Sequence, residues 1–363
     1  MSGDPEDEEE FWYRPVWETD DEIEPPGPPR RARNQPAEPD YDHPLLTPLA
    51  HAQDGMARLE AKIEAASEAV AEGVRARMAY LEAAGWLRHV HVWIHPQDLA
   101  LRDNALTGSY AAAAIGDRLS LELPSTAVQE AELAAAPSDI LVTQALRLAR
   151  LWRRAAELRT WRPLADIGAL RETLQSLGCG LPEDREIADW LASVEMLERG
   201  PLLIRAGRAA RDWINRPGIE PHNPAGVFLA ACLWRDKGGR RPIGLPFWSA
   251  PETHHYRLEL HFGVQWMTDF LECVAAAALV GLREIRRLHQ AEQKGRLLAP
   301  TARSRLPDAL NAVVRAPIVT TGSLAAALNV TPQAALGLLR QLLAAGIVRE
   351  ATGRASWRAF GLI

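Results

Sequence analysis

Thr331 and Gly346 bracket the run of sequence that most restricts what this chain can become. Thr331 can cap a helix, and Pro332 suits its first position, where a missing N–H costs nothing. Leu336, Leu339, Leu342 and Leu343 recur at helical spacing, and Gly346 stops the run. Upstream, Leu306–Val314 reads as a helix that Pro317 prevents from continuing, and Gly322–Leu328 as a short second helix with Asn329-Val330 as the turn. Downstream, 347–350 and 356–360 alternate as two strands around Thr352-Gly353. Helix, helix-turn-helix and β-hairpin in this order predict a winged helix over 301–363.

Charge sharpens the expectation. The net charge of −6 is unevenly spread: residues 1–42 hold fourteen Asp and Glu against four Arg, a net of −10, so the rest sums to +4. Residues 301–363 hold seven Arg against Asp308 and Glu350. A capped helix N-terminus in a major groove aims its first side chains at base edges, and nearby cations hold phosphates. The expected DNA contacts are Thr331, Gln333 and Ala334 on the first turn, Arg340 further along, and Arg349, Arg354 and Arg358 on and beside the wing. Gln pairs with adenine and Ala meets the thymine methyl. The competing reading is a winged helix used for docking, since Ala335, Gly337 and Leu338 make much of the third helix apolar.

The remainder reads as mainly α. Residues 1–48, rich in Asp, Glu and Pro, read as a disordered acidic tail, and Phe11, Trp12, Tyr13 and Trp17 within it would suit docking on a protein partner. Residues 49–300 read as a helical domain. Met56, Leu59 and Ile63 begin an apolar stripe that Val70, Val74, Met78 and Leu81 continue; further helices are expected over 139–161, 184–215, 224–236 and about 260–298. The segment 86–94 is β-branched and aromatic and reads as a short strand. Trp190, Trp213, Trp234 and Trp266, of twelve Trp in all, read as core.

Other chemistry finds little purchase. Cys179, Cys232 and Cys273 have no metal spacing and suit a reduced core. The acidic N-terminus is no signal peptide, and the longest apolar run, 273–282, is far short of the roughly 20 residues of a membrane span. The expectation is a cytoplasmic protein with no membrane contact and no cofactor. On a strand His89, His91 and His95 would share a face, which makes them the better zinc candidate; His254, His255 and His261 bracket a loop. Packing and punctuation explain both groups as well, and no metal is assigned. Gly238-Gly239-Arg240-Arg241 lacks the Lys-Ser/Thr ending of a nucleotide loop. Arg283, Arg286, Arg287, Lys294, Arg296, Arg303 and Arg305 read as the wet face of an amphipathic helix.

Three segments carry a family resemblance: Arg305-Leu306-Pro307, Val330-Thr331-Pro332-Gln333-Ala334-Ala335-Leu336 and Glu350-Ala351-Thr352-Gly353-Arg354. They resemble the tail of a family common on plasmids of rhizobia and related α-proteobacteria, which joins a domain of unknown function to a C-terminal helix-turn-helix DNA-binding domain. The match is close over 303–363, moderate over 219–298 and looser over 56–105, and leaves out the acidic tail. The order of parts also resembles, distantly, the Fic proteins, which transfer AMP to hydroxyl groups. That resemblance implies a catalytic loop with a His base, an acidic metal ligand, glycines and an Arg. The nearest stretch, Pro221-His222-Asn223-Pro224-Ala225-Gly226-Val227, keeps a His and a Gly, has no acid, and has Val227 where the Arg belongs. Transition-state charge would go unsupported. The chain is therefore expected to be a DNA-binding transcriptional regulator, not an enzyme, plausibly a homodimer on paired half-sites. The alternatives are a divergent AMP transferase and a protein-interaction component with a vestigial wing.

Overall fold

The computed structural model describes residues 43–104, 137–157, 160–197, 199–220, 222–238, 241–298, 304–352 and 358–363. The acidic tail up to residue 42, Gly353, Arg354 and Trp357 lie outside them. The described chain is mainly helical, as expected. Its first helix, α1 (Leu46–Glu64), opens inside the stretch assigned to the tail. The apolar stripe that reads as continuous is broken at Ser67, whose side chain accepts from the Val70 amide and starts α2 (Glu68–His89).

Helix α2 is the spine of the body. Ala79, Ala83, Trp86 and Leu87 are buried along it, and even Glu82 is sealed in. The strand expected over 86–94 is absent, because Trp86, Leu87 and His89 continue the buried faces of this helix. Trp86 Nε1 donates to the His222 carbonyl at 2.9 Å, and the chain then turns at His91, where φ is 62°. Short β-branched runs are ambiguous until a partner strand or a packing surface decides. Here the packing surface decided.

Around α2 lie α3 (Pro96–Asp103), α4 (Pro137–Glu157), α5 (Ile167–Leu177), α6 (Asp184–Met196), α7 (Leu202–Ile214), α8 (Ala225–Lys237) and α9 (Glu252–Leu260). The region read as one or two helices over 184–215 is two. The long helix read over about 260–298 is a single helix, α10 (Gly263–Arg296), and α9, which no reading anticipated, ends just before it at Leu260. At 34 residues α10 is about 50 Å long. By length and composition it is the one described helix that could cross a membrane, and half of its most apolar stretch is buried within the protein. It packs on α1 and α2. Trp190 and Trp213 meet edge to face at 5.2 Å, and with Trp234 and Trp266 they are core, as read.

The C-terminal unit consists of α11 (Leu306–Arg315), β1 (Val319–Thr320), α12 (Thr321–Leu328), α13 (Pro332–Ala344), β2 (Val348–Glu350) and β3 (Ala359–Leu362). Its antiparallel sheet has the order β1-β3-β2, with Val319 opposite Phe360 and Arg349 opposite Gly361. Thr320 and Ser323 close a reciprocal capping box on α12, Asn329 takes a left-handed conformation in the turn, and Thr331 Oγ1 accepts from the Ala334 amide. This is the winged helix expected from the pattern.

The winged helix is docked on the body. Arg77, buried on α2, donates to the carbonyls of Val313, Val314 and Ala316 at 2.6–3.1 Å. These are groups that the C-terminal end of α11 leaves without helical partners, and a cation there also meets the negative end of the helix dipole. Burial, then the nearby Arg287, pushes the pKa of Arg77 down to about 9, while Glu284 works against that shift. Gly73, one turn earlier on α2, makes the approach possible: a Cβ at that position would lie 2.2 Å from the Val314 carbonyl oxygen.

Two substitutions test this joint. Arg77→Met should destabilise the protein by about 3 kcal/mol, because it strands buried carbonyls. Gly73→Ala should cost about 2 kcal/mol through overpacking. Urea denaturation of each variant checks both; wild-type midpoints would show that the joint carries no such weight.

Candidate nucleic-acid interface

Helix α13 is held by one face. Ala335, Leu339 and Leu342 are buried against α11, α12 and β2, whereas Thr331, Pro332, Gln333 and Ala334 at its leading edge are exposed. Leu343, expected in the core, is 40% exposed. The first turn therefore stands open to solvent, and its N-cap is already satisfied by the Thr331 hydroxyl. Arg340, two turns on, is exposed and makes no hydrogen bond or ion pair among the described residues.

The other expected contacts are differently placed. Arg349 Nη2 donates to Gln97 Oε1 at 2.8 Å, at the start of α3, so in the fold this exposed side chain is held toward the body. The sequence shows Arg349 on a strand beside the wing but cannot show that α3 lies within reach. Arg358 sits 3.8 Å from Glu350 across the hairpin, where an exposed pair contributes little and leaves less net charge facing outward. Arg354 lies outside the described residues. Two further arginines are also engaged. Arg305 donates to the Leu328 carbonyl and pairs with Asp308, and Arg315 pairs with Glu68 and Glu72 of α2. Among the described residues of the winged helix, Arg340 is the uncommitted cation.

The histidines sort themselves in a way their spacing does not suggest. His89, His91 and His95 do not share a face: His89 is buried at the end of α2, His91 is in the turn, and His95 caps α3 by accepting from the Gln97 amide. His89 instead meets His222 (Nε2 to Nδ1, 3.4 Å) and lies 4.8 Å from the Trp248 ring, tilted by 37°, with the His255 ring at 6.2 Å. Among the described residues no group of three or more His, Cys, Asp or Glu could hold a metal ion. His89 and His222 line a cavity of about 230 Å³ with Phe247, Trp248 and Trp266, and Val227 forms part of its wall. His261, at the rim, donates from Nδ1 to the buried Asp269 carboxylate at 2.5 Å.

Beneath the cavity lies Glu82, which accepts from the amides of Phe247, Trp248 and Ser249 and from the Ser249 hydroxyl. Burial raises its pKa to about 7 against the pull of those donors. The sequence offered one signal for it, a lone acid amid the apolar positions 79, 83 and 86. The pairing of His261 with Asp269 left none, since a loop residue and a helix residue meet there only through the fold.

The C-terminal geometry has a counterpart among known proteins. A family described as HTH DNA binding domain matches residues 306–363. The chain is also similar to the uncharacterized protein y4cF of Sinorhizobium fredii (strain NBRC 101917 / NGR234), at 28% identity over 191 residues, half of this chain. That match spans 48% of the relative's own length. The C-terminal unit is accordingly a helix-turn-helix DNA-binding domain.

The buried titratable groups make stability depend on pH. Burial, then the neighbouring imidazoles, lowers the pKa of His89 from 6.5 to about 3, and burial lowers that of His255 to about 4. Their contribution is complete above pH 6.5 and is lost as pH falls through these values. Glu82 runs the other way, complete below 4.5 and lost as pH rises through about 7. Between about pH 4.5 and 6.5 the unfolded chain thus gains two imidazole protons while the native chain keeps one carboxyl proton. The net of one proton gives about 1.4 kcal/mol of stability per pH unit, rising with pH. His89→Gln should lower the slope by that amount, as read from urea midpoints at about pH 5 and pH 6. An unchanged slope would mean that His89 titrates normally in the fold.

Proposed function

We propose that the protein is a transcriptional regulator that reads duplex DNA through the first turn of α13. One observation carries the reading: the capped leading edge, Thr331 to Ala334, is exposed, with Arg340 uncommitted behind it. A helix presented in this way can enter a major groove, where Gln333 reads a base edge, Ala334 contacts a methyl group and Arg340 holds a phosphate. Pairing of two copies on adjacent half-sites belongs to the same proposal, as does an acidic tail that serves a protein partner.

The body works, in this reading, without catalysis. Support comes from the sequence: the stretch that most resembles a Fic loop, 221–227, has no acid and has Val227 where that resemblance would put an arginine. Burial holds His89 neutral, and this imidazole contributes no fixed charge to stabilise a phosphoryl group. Failure to label the protein or a target with radioactive ATP and magnesium would agree with this; His222-dependent labelling would refute it.

Gel-shift titration against fragmented host DNA at two salt concentrations tests the main reading. Affinity should fall steeply with salt, and Arg340→Ala should weaken binding and reduce the log–log salt slope by about one. Gln333→Ala should relax discrimination at one base pair by about 1–3 kcal/mol. Arg349→Ala should leave the slope unchanged, because that side chain is turned to the body. Absent or salt-insensitive binding would end the proposal.

A further inference from the structure

The joint between the winged helix and the body forms a half-open cavity of about 180 Å³ with walls from both. Arg77 of α2, Glu284 and Arg287 of α10, Gln97 of α3 and Arg349 of β2 line it. Three guanidinium groups face one carboxylate. Glu284 is spent on Arg287, at 2.9 Å. The hydrogen-bond partners of Arg77 are backbone carbonyls, which carry only partial charge. The partner of Arg349 is a neutral amide oxygen. Asp103, which Tyr80 on the cavity wall contacts, is engaged by Tyr80 and Arg150.

The surplus is therefore about two positive charges, and it is felt. Repulsion from Arg287 contributes to lowering the pKa of Arg77. Arg287 Nε is buried with no hydrogen-bond partner, an expensive state for a charged group's donor. His95, also on the wall, accepts at Nδ1 from the Gln97 amide, so its neutral form carries the proton at Nε2 as a further donor. Donors and charge of one sign converge on a space with room for a small polyatomic ion and water.

We propose that this cavity binds a small oxyanion, a phosphoryl or carboxylate group, held between Arg287 of the body and Arg349 of the winged helix. Such an ion would neutralise the joint and tie β2 to α10. It would make the set of the DNA-binding domain on the body responsive to a charged metabolite or to phosphate. The site stands on the charge arrangement alone and does not depend on the DNA reading. It does give Arg349 a role that the wing does not.

Isothermal titration calorimetry on the full chain tests this, with inorganic phosphate, glycerol phosphate and succinate as separate probes against sodium chloride at matched ionic strength. At least one probe should bind one to one. Arg349→Gln and Arg287→Gln should each weaken it at least tenfold, and Arg349→Lys should weaken it less. The surface variant Arg349→Gln guards against a folding artefact in the other. The ranking of the three probes separates free phosphate, a phosphomonoester and a carboxylate as the source. No binding beyond chloride, or wild-type affinity in both Gln variants, would overturn the site. So would intact anion binding in Arg349→Gln together with a DNA salt slope reduced by one, since Arg349 would then serve a DNA phosphate.

Discussion

The grip of Arg77 on the end of α11 is the contact on which the architecture turns. A buried guanidinium is costly to desolvate, and it is tolerated where several acceptors converge on it. The last carbonyls of a helix are such a set: they point the same way, lack internal partners and carry the negative end of the dipole. Gly73 lets the two backbones come close enough for the bonds to form. The result is a DNA-binding domain fixed against its body. From His43 to Ile363 the described chain is one compact unit.

Helix α2 joins this grip to the chemistry at its other end. Arg77 holds the winged helix, Glu82 receives the amides of Phe247 to Ser249 about a turn further on, and His89 closes the helix against His222 and Trp248. A rearrangement in the aromatic cavity would act on the same rigid rod that carries the joint. Helix α10 provides a second such rod, with Trp266 at the cavity wall and Arg287 at the junction. Coupling between two sites needs an element that both can bias. These helices are where it would run.

The winged helix illustrates how little a count of charges says about a surface. Seven arginines in its sequence promise a strongly basic face. In the fold, Arg305 caps α12, Arg315 clasps α2, Arg349 bonds Gln97 and Arg358 pairs with Glu350. Most of that charge holds the domain together or holds it to the body. The uncommitted cation on the described surface of the winged helix is Arg340, on the exposed face of α13.

Local signals were enough for the winged helix, because each of its parts is encoded within a few residues of itself. Thr331 caps its own helix, Asn329 turns its own loop, and the leucines of α13 mark their own buried face. The same locality explains the success with the tryptophan core. It also explains the failures. Whether residues 86–94 extend a helix or pair as a strand, which group of the body Arg349 bonds, and which histidines are neighbours all depend on what arrives from more than a hundred residues away. Gln97 and Arg349 are 252 positions apart, and His89 and His222 are 133. Distances of that kind are set when helices pack, since burial rewards any surface that fits and leaves no mark at the residues it will bring together.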